Sequence, residues 1–292
     1  MKPIDYLPAQ LMTKTDLNTW LHESPNKLTG VSDFPAIESY AIASFVLSQS
    51  KEWIITHPEY VLSSQLLEKM DSLINRLQHG EPLPYLLGRQ SFYGLKFEVT
   101  PAVLIPRPET ELLVEEAISW LQRHPNRRHM MDVGTGSGII PITLADHFDD
   151  LHAHAVDISA HALDIANRNI RNYNLQERIQ TYPNDLLSGI TETFDLITAN
   201  LPYIPSSRLS SLAVSRFEPL EALDGGPDGF KLIHRLLGQV TKNIKPGGLL
   251  LLEIDDSQAL LAANEATKFL PSAKITVIND LAQKPRLLRI QV

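Results

Sequence analysis

The chain has 292 residues, 43% of them hydrophobic and 21% charged, which suits about two ordinary globular cores and excludes disorder. Lys and Arg number 26 against 34 Asp and Glu, and the formal charge of −8 argues against a broad basic surface for nucleic-acid backbones. The absence of cysteine removes disulfides, thiolate nucleophiles and Cys-ligated zinc, and the aperiodic Gly and Pro exclude collagen-like and repeat architectures.

The first residues, MKPIDYLPAQLMTKTD, include Asp5 and Asp16 and contain no unbroken apolar stretch, unlike a signal peptide. No apolar run approaches the ~18 residues of a membrane span, so a cytoplasmic protein without membrane contact is expected. Residues 1–80 carry amphipathic helix patterns: Ile37, Tyr40, Ala41, Ser44, Phe45 and Leu47, then Leu62, Leu66, Leu67, Met70, Leu73, Ile74 and Leu77, mostly three and four apart. These predict a small helical domain in which Trp20, Trp53 and Tyr60 are core rather than contact residues. Gly80, Pro82 and Pro84 break the pattern, and the alternation from Ser91 to Thr100 around Gly94 predicts a short hairpin. Residues 81–104 thus read as a linker.

From 105 to 292 the pattern becomes strand, helix, strand, helix, which implies a largely parallel α/β sheet covered on both faces. Strands are expected over 129–134, 152–157, 178–182, 194–199, 248–254, 274–278 and 286–291. The connection between the last two is too short for a helical crossover, so the final strand should run antiparallel to its neighbour. His152 and His154 share one strand face, but no further ligand is spaced to help, so a solvated face and no metal site are expected.

Asp132-Val-Gly-Thr-Gly-Ser-Gly follows a strand and opens a helix, leaving backbone N–H groups free to approach a ligand at Gly134, Thr135, Gly136, Ser137 and Gly138. The dinucleotide spacing would place another Gly at 139, where Ile139 stands. Asp157 ends the second strand 19 residues after Gly138, where a carboxylate can bind a ribose diol. Asp185-Leu186, after the third strand, sits at the same carboxyl edge as a ligand contact or a helix N-cap. Together with the antiparallel last strand, these features resemble the class I S-adenosylmethionine methyltransferases. The resemblance implies their seven-stranded Rossmann-like sheet, with S-adenosylmethionine as the cofactor.

After the fourth strand come Asn200-Leu201-Pro202-Tyr203, beside the expected methyl donor. An amide or exocyclic amine is a poor nucleophile, so a useful site accepts its N–H hydrogens and aims the nitrogen. Asn200 Oδ1 and the Leu201 carbonyl suit that task. Pro202 biases Leu201 toward an extended conformation, and Tyr203 offers a flat face for a planar acceptor. The motif resembles the (Asn/Asp/Ser)-Pro-Pro-(Tyr/Phe) signature of amino-methyltransferases. Leu201 replaces the first Pro, a spelling shared with ribosomal-RNA adenine dimethyltransferases.

Upstream, Glu81-Pro-Leu-Pro-Tyr-Leu-Leu-Gly, Phe92-Tyr-Gly-Leu-Lys-Phe-Glu-Val and Val103-Leu-Ile-Pro-Arg-Pro-Glu-Thr-Glu lead into the sheet. They resemble the protein-glutamine N5-methyltransferases of peptide-chain release factors, as do Glu218-Pro-Leu-Glu-Ala-Leu-Asp-Gly-Gly-Pro-Asp-Gly and Asp280-Leu-Ala with Arg286. Pro106 to Glu111 matches this branch rather than the ribosomal-protein glutamine methyltransferases. The family implies a substrate-recognition domain over 1–80, a hairpin linker, and a methyltransferase domain over 105–292. Its substrate is the glutamine of the release factors' Gly-Gly-Gln loop, in translation termination. The Pro-Arg-Pro segment reads either as helix capping or as placing Arg107 at the site mouth, against substrate or between domains. Asp255 stands where the family usually has Gly. The expected chemistry is in-line methyl transfer without an assigned general base. Two rivals are an RNA adenine methyltransferase, which the charge and the long segment before the Gly loop oppose, and a non-catalytic adaptor, which the intact Asn200 and Tyr203 oppose.

Overall fold

The computed structural model describes residues 15–292, so the reading of the N-terminal segment around Asp5 lies outside the described residues. The chain divides into two compact units, the first ending at Leu87 and the second running Gly88–Val292.

The first unit is helical: α1 (Leu17–Lys27), α2 (Pro35–Leu47), α3 (Lys51–Thr56), α4 (Ser64–Gln78) and α5 (Leu83–Leu87). Asp16, Ser50 and Ser63 cap α1, α3 and α4 by accepting a backbone N–H of the first turn. Helix α4 buries Met70, Leu73, Ile74 and Leu77 as its spacing predicts. Helix α2 instead buries Ser39, Ile42, Ala43 and Val46, whereas Ile37 is 59% exposed. Its sequence is apolar on nearly every face, so Tyr40, Phe45 and Leu47 of the expected stripe pack only on the margin of the core. Trp20 is core, and its indole donates to Asp71 at 3.1 Å. Trp53 is half-buried and stacks on His57 at 4.3 Å between ring centroids, while Tyr60 is exposed.

The second unit opens with a hairpin, β1 (Arg89–Phe92) and β2 (Leu95–Glu98). Tyr93 and Gly94 both have positive φ at its two-residue turn, the backbone that matches the twist of paired strands. Then follow α6 (Glu111–Arg123), β3 (His129–Val133), α7 (Ile139–His147), β4 (His152–Asp157), α8 (Ala160–Asn172), β5 (Ile179–Pro183) and β6 (Phe194–Ala199). The remainder comprises α9 (Ser206–Leu209), α10 (Lys231–Val240), β7 (Ile244–Glu253), α11 (Ala259–Phe269), β8 (Lys274–Asn279) and β9 (Pro285–Gln291). The hairpin is fastened to this unit rather than free: Asn169 of α8 accepts the Glu98 N–H at 2.8 Å, and Glu111 accepts that of Tyr93 at 2.9 Å. Phe92 and Phe97 are buried in the same core as Trp120.

The main sheet has the order β5-β4-β3-β6-β7-β9-β8. Strands β3 to β7 pair in parallel, while β9 lies between β7 and β8 and runs antiparallel to both. This is the seven-stranded fold the pattern predicts, with the last strand inserted rather than appended. Strand order reverses between β3 and β6, which opens a crevice at their carboxyl ends, the usual ligand position in open α/β sheets.

Candidate active site

The Gly-rich loop between β3 and α7 turns tightly and ties most of its own amides back into the protein. Gly134, Gly136 and Gly138 all have positive φ, and Gly134 and Thr135 both donate to the Val156 carbonyl. A Cβ at Gly138 would meet Ile142 at 3.1 Å and Ala166 at 3.4 Å, so that glycine lets α7 pack against α8. A Cβ at Gly134 would lie 3.0 Å from Leu201 Cδ2. Leu201 therefore fills the space over the loop, which accounts physically for an apolar side chain in the acceptor motif. At the centre of the loop, Asp157 Oδ2 accepts the Gly136 N–H at 2.9 Å, and Oδ1 accepts that of Ser159 at the same distance. Burial raises the Asp157 carboxyl above its ordinary range, against these backbone donors. Each oxygen retains a lone pair for a diol.

Around this loop lies a cavity of about 470 Å³, within the range of small-molecule sites. Thr135, Ser137, Leu186, Asn200, Leu201, Pro202 and Arg107 line it with Gly134, Gly136, Asp157 and Asp185. Gly138 and Tyr203 do not line it. Asp185 occupies a turn rather than a helix N-cap and pairs with Arg235 at 2.7 Å. Arg107 pairs with the buried Glu218, whose other oxygen accepts the Ile105 N–H at 3.1 Å. Arg107 thus joins two segments of the second unit. With both guanidinium groups so paired, the lining carboxylates Asp157, Glu221 and Asp224 leave the cavity suited to a cation. The cavity's size, its glycine loop and its negative lining fit S-adenosylmethionine.

The acceptor end rests on residues the motifs did not flag. Asn200 Nδ2 donates to Thr110 Oγ1 at 3.1 Å, and Thr110 Oγ1 donates to Glu253 Oε2 at 2.8 Å. The Tyr203 hydroxyl lies 3.4 Å from Glu253 Oε1. Burial pushes Glu253 up to about 7, while its donors and Arg286 oppose that rise, and it raises the Tyr203 phenol too. Asp255 does not line the cavity. It caps the turn Asp256–Gln258, placing Gln258 Nε2 to donate to the Tyr203 carbonyl at 3.2 Å and the Gly229 carbonyl at 3.0 Å. Thr110 and Glu253 each left a signal of their own: Thr110 stands inside segment 106–111, and Glu253 closes an apolar strand run with a carboxylate.

Gly229 is held beneath this motif by φ +75, and a Cβ there would lie 2.3 Å from the Tyr203 carbonyl oxygen. Gly229→Ala should therefore displace the acceptor motif, lowering kcat by roughly 10- to 100-fold. Isothermal titration should find cofactor affinity within about threefold of the parent, because the Gly loop is untouched.

At the opposite edge of the sheet His154 is grouped not with His152 but with two residues from other segments. Ligating atoms of His129, His154 and Glu192 all lie within 4.8 Å of one another. Zn–N bonds of about 2.0–2.1 Å require edges of roughly 3.3 Å, so this cluster is wider than a formed zinc site. His154 Nδ1 already meets the Tyr182 hydroxyl at 3.2 Å and Glu192 at 3.4 Å.

The pattern of the Methyltransferase small domain matches residues 109–217, and that of the PrmC N-terminal domain matches residues 19–88. A release factor glutamine methyltransferase of Koribacter versatilis is 41% identical over 229 residues, covering 77% of this chain and 81% of the relative. One from Caulobacter vibrioides is 30% identical over 282 residues, covering 95% and 96%. Among solved structures, the human Mettl16 catalytic domain, crystallised with an RNA hairpin, shares the fold at TM-score 0.55 and 15% identity, covering 68% of this chain and 76% of that one.

Proposed function

The chain belongs to the release factor glutamine methyltransferase family and is an S-adenosylmethionine-dependent enzyme, and from that premise we propose that it methylates the side-chain amide of the Gly-Gly-Gln glutamine in peptide-chain release factors. The observation that carries this reading is the placement of Asn200 at the end of β6, in the cavity shared with the Gly134 to Ser137 loop and Asp157.

Bound there, S-adenosylmethionine supplies an electrophilic methyl group on a sulfonium. The glycine loop and Asp157 would hold the donor, with Asp157 offered to the ribose diol and Asp185-Leu186 to the base. Asn200 Oδ1 and the Leu201 carbonyl accept the two N–H hydrogens of the glutamine amide, which directs its nitrogen at the methyl carbon. Pro202 keeps the Leu201 carbonyl in position, and Tyr203, whose hydroxyl meets Glu253, braces the motif from outside the cavity. Arg107 stiffens the mouth through Glu218. The nitrogen lone pair forms the N–C bond as the C–S bond breaks, and the proton leaves the amide nitrogen to water. Positioning and charge complementarity supply the acceleration.

The helical unit serves recognition of the release factor in this reading, and the cytoplasm is the compartment that translation termination requires. No helix among the described residues is long and apolar enough to cross a membrane. Labelled S-adenosylmethionine should mark an unmodified release factor and spare one with the Gly-Gly-Gln glutamine changed to alanine. The spelling Asn200-Leu201 favours a second reading, adenine methylation of ribosomal RNA. Label on ribosomal RNA with none on the protein would establish that instead.

A further inference from the structure

An asparagine that must accept hydrogen bonds has a problem of symmetry. Its amide can turn over with almost no change of shape, and the turned form presents N–H groups to a substrate that is itself a donor. Asn200 must therefore be held by something that tells its two ends apart. Thr110 alone cannot do so, because a hydroxyl both donates and accepts. A hydroxyl whose hydrogen is already committed can only accept.

We propose that Glu253 and Thr110 are positioning residues of methyl transfer: the Glu253 carboxylate takes the Thr110 hydrogen, so Thr110 accepts from Asn200 Nδ2 and Asn200 Oδ1 faces the acceptor. This rests on the glutamine reading above. The order of atoms is Asn200 Nδ2 to Thr110 Oγ1 at 3.1 Å, then Thr110 Oγ1 to Glu253 Oε2 at 2.8 Å. Thr110 is 0% exposed and Glu253 2%, so water does not substitute for either partner. Glu253 Oε1 is held from the other side by the Tyr203 hydroxyl. Thr110 is delivered by the turn Pro108–Thr110 and Glu253 by the end of β7, two rigid elements.

The direction of the chain depends on Glu253 being an acceptor. Its charged and titratable neighbours are Arg286, Glu109 and Tyr203, and burial lifts it to about 7. Once protonated, Glu253 can donate to Thr110, whose hydrogen is then free to turn toward Asn200 Oδ1. The acid side of the turnover profile therefore reports the relay.

The test uses the full-length enzyme with labelled S-adenosylmethionine and an unmodified release factor. Thr110→Val should lower kcat by about 10- to 100-fold, with cofactor affinity and melting temperature near those of the parent. Thr110→Ser should restore most of that turnover. The kcat profile of the parent should fall on the acid side, and Glu253→Gln should lose this limb. A separate readout does not require turnover: the side-chain amide of Asn200, identified by NMR through its loss in Asn200→Ala, should exchange slowly in the parent and quickly in Thr110→Val. Parental kcat in Thr110→Val, equal damage from Ser and Val, or an unprotected Asn200 amide in the parent would each overturn the relay. A protected amide in an enzyme that leaves the glutamine unlabelled would support the relay and overturn the glutamine reading.

Discussion

Asn200→Ala is expected to reduce kcat by about 10²- to 10³-fold, the scale of losing one preorganised partner of the reacting group. In the proposed role of Asn200, the substitution removes the side-chain oxygen that accepts from the substrate amide and leaves that nitrogen free to rotate away from the methyl carbon. Cofactor affinity should stay within about threefold, because the donor's anchors are the β3–α7 loop and Asp157. Single-turnover kinetics beside isothermal titration separates the two quantities. A variant that turns over within about threefold of the parent would remove Asn200 from the chemistry.

Asp157→Ala should have the opposite signature. The carboxylate accepts from Gly136 and Ser159 at 2.9 Å each, so it shapes the loop as well as offering its remaining lone pairs to the ribose. Charge-assisted hydrogen bonds contribute about 1.5–3 kcal/mol each, and losing two of them to a diol corresponds to roughly 10²- to 10⁴-fold weaker binding. Turnover at saturating cofactor should fall much less. Because burial already raises this carboxyl, Asp157→Ala also removes a group that is costly to keep charged in the fold, and thermal stability should change little. Unchanged cofactor affinity would show that Asp157 organises the loop without touching the donor.

Much of the sheet was legible because parallel strands buried on both faces read as continuous apolar runs, as Phe194–Ala199 does. The Gly loop, Asp157 and Asn200 were legible because turn glycines and polar residues at strand ends interrupt such runs. The insertion of β9 between β7 and β8 was not, since a short connection fixes that two strands are antiparallel and says nothing of which neighbour is shared. In helix α2 the most deeply buried positions were obscured for the opposite reason, too many apolar residues rather than too few. Thr110 escaped notice inside a segment that reads equally well as a helix start, and its function depends on a partner 143 positions away. Tyr203 was assigned from its residue type to the cavity wall, yet it does not line the cavity and its hydroxyl faces Glu253.

The two ends of the site differ in the length of chain each must close. The Gly136–Asp157 tie at the cofactor end spans 21 positions, whereas Asn200–Thr110 spans 90 and Thr110–Glu253 spans 143. Closing the longest of these loops costs about 1–2 kcal/mol more in chain entropy than closing the shortest. Assembly of the Asn200 end therefore requires distant parts of the chain to be in place together, whereas the Gly loop closes on a near neighbour.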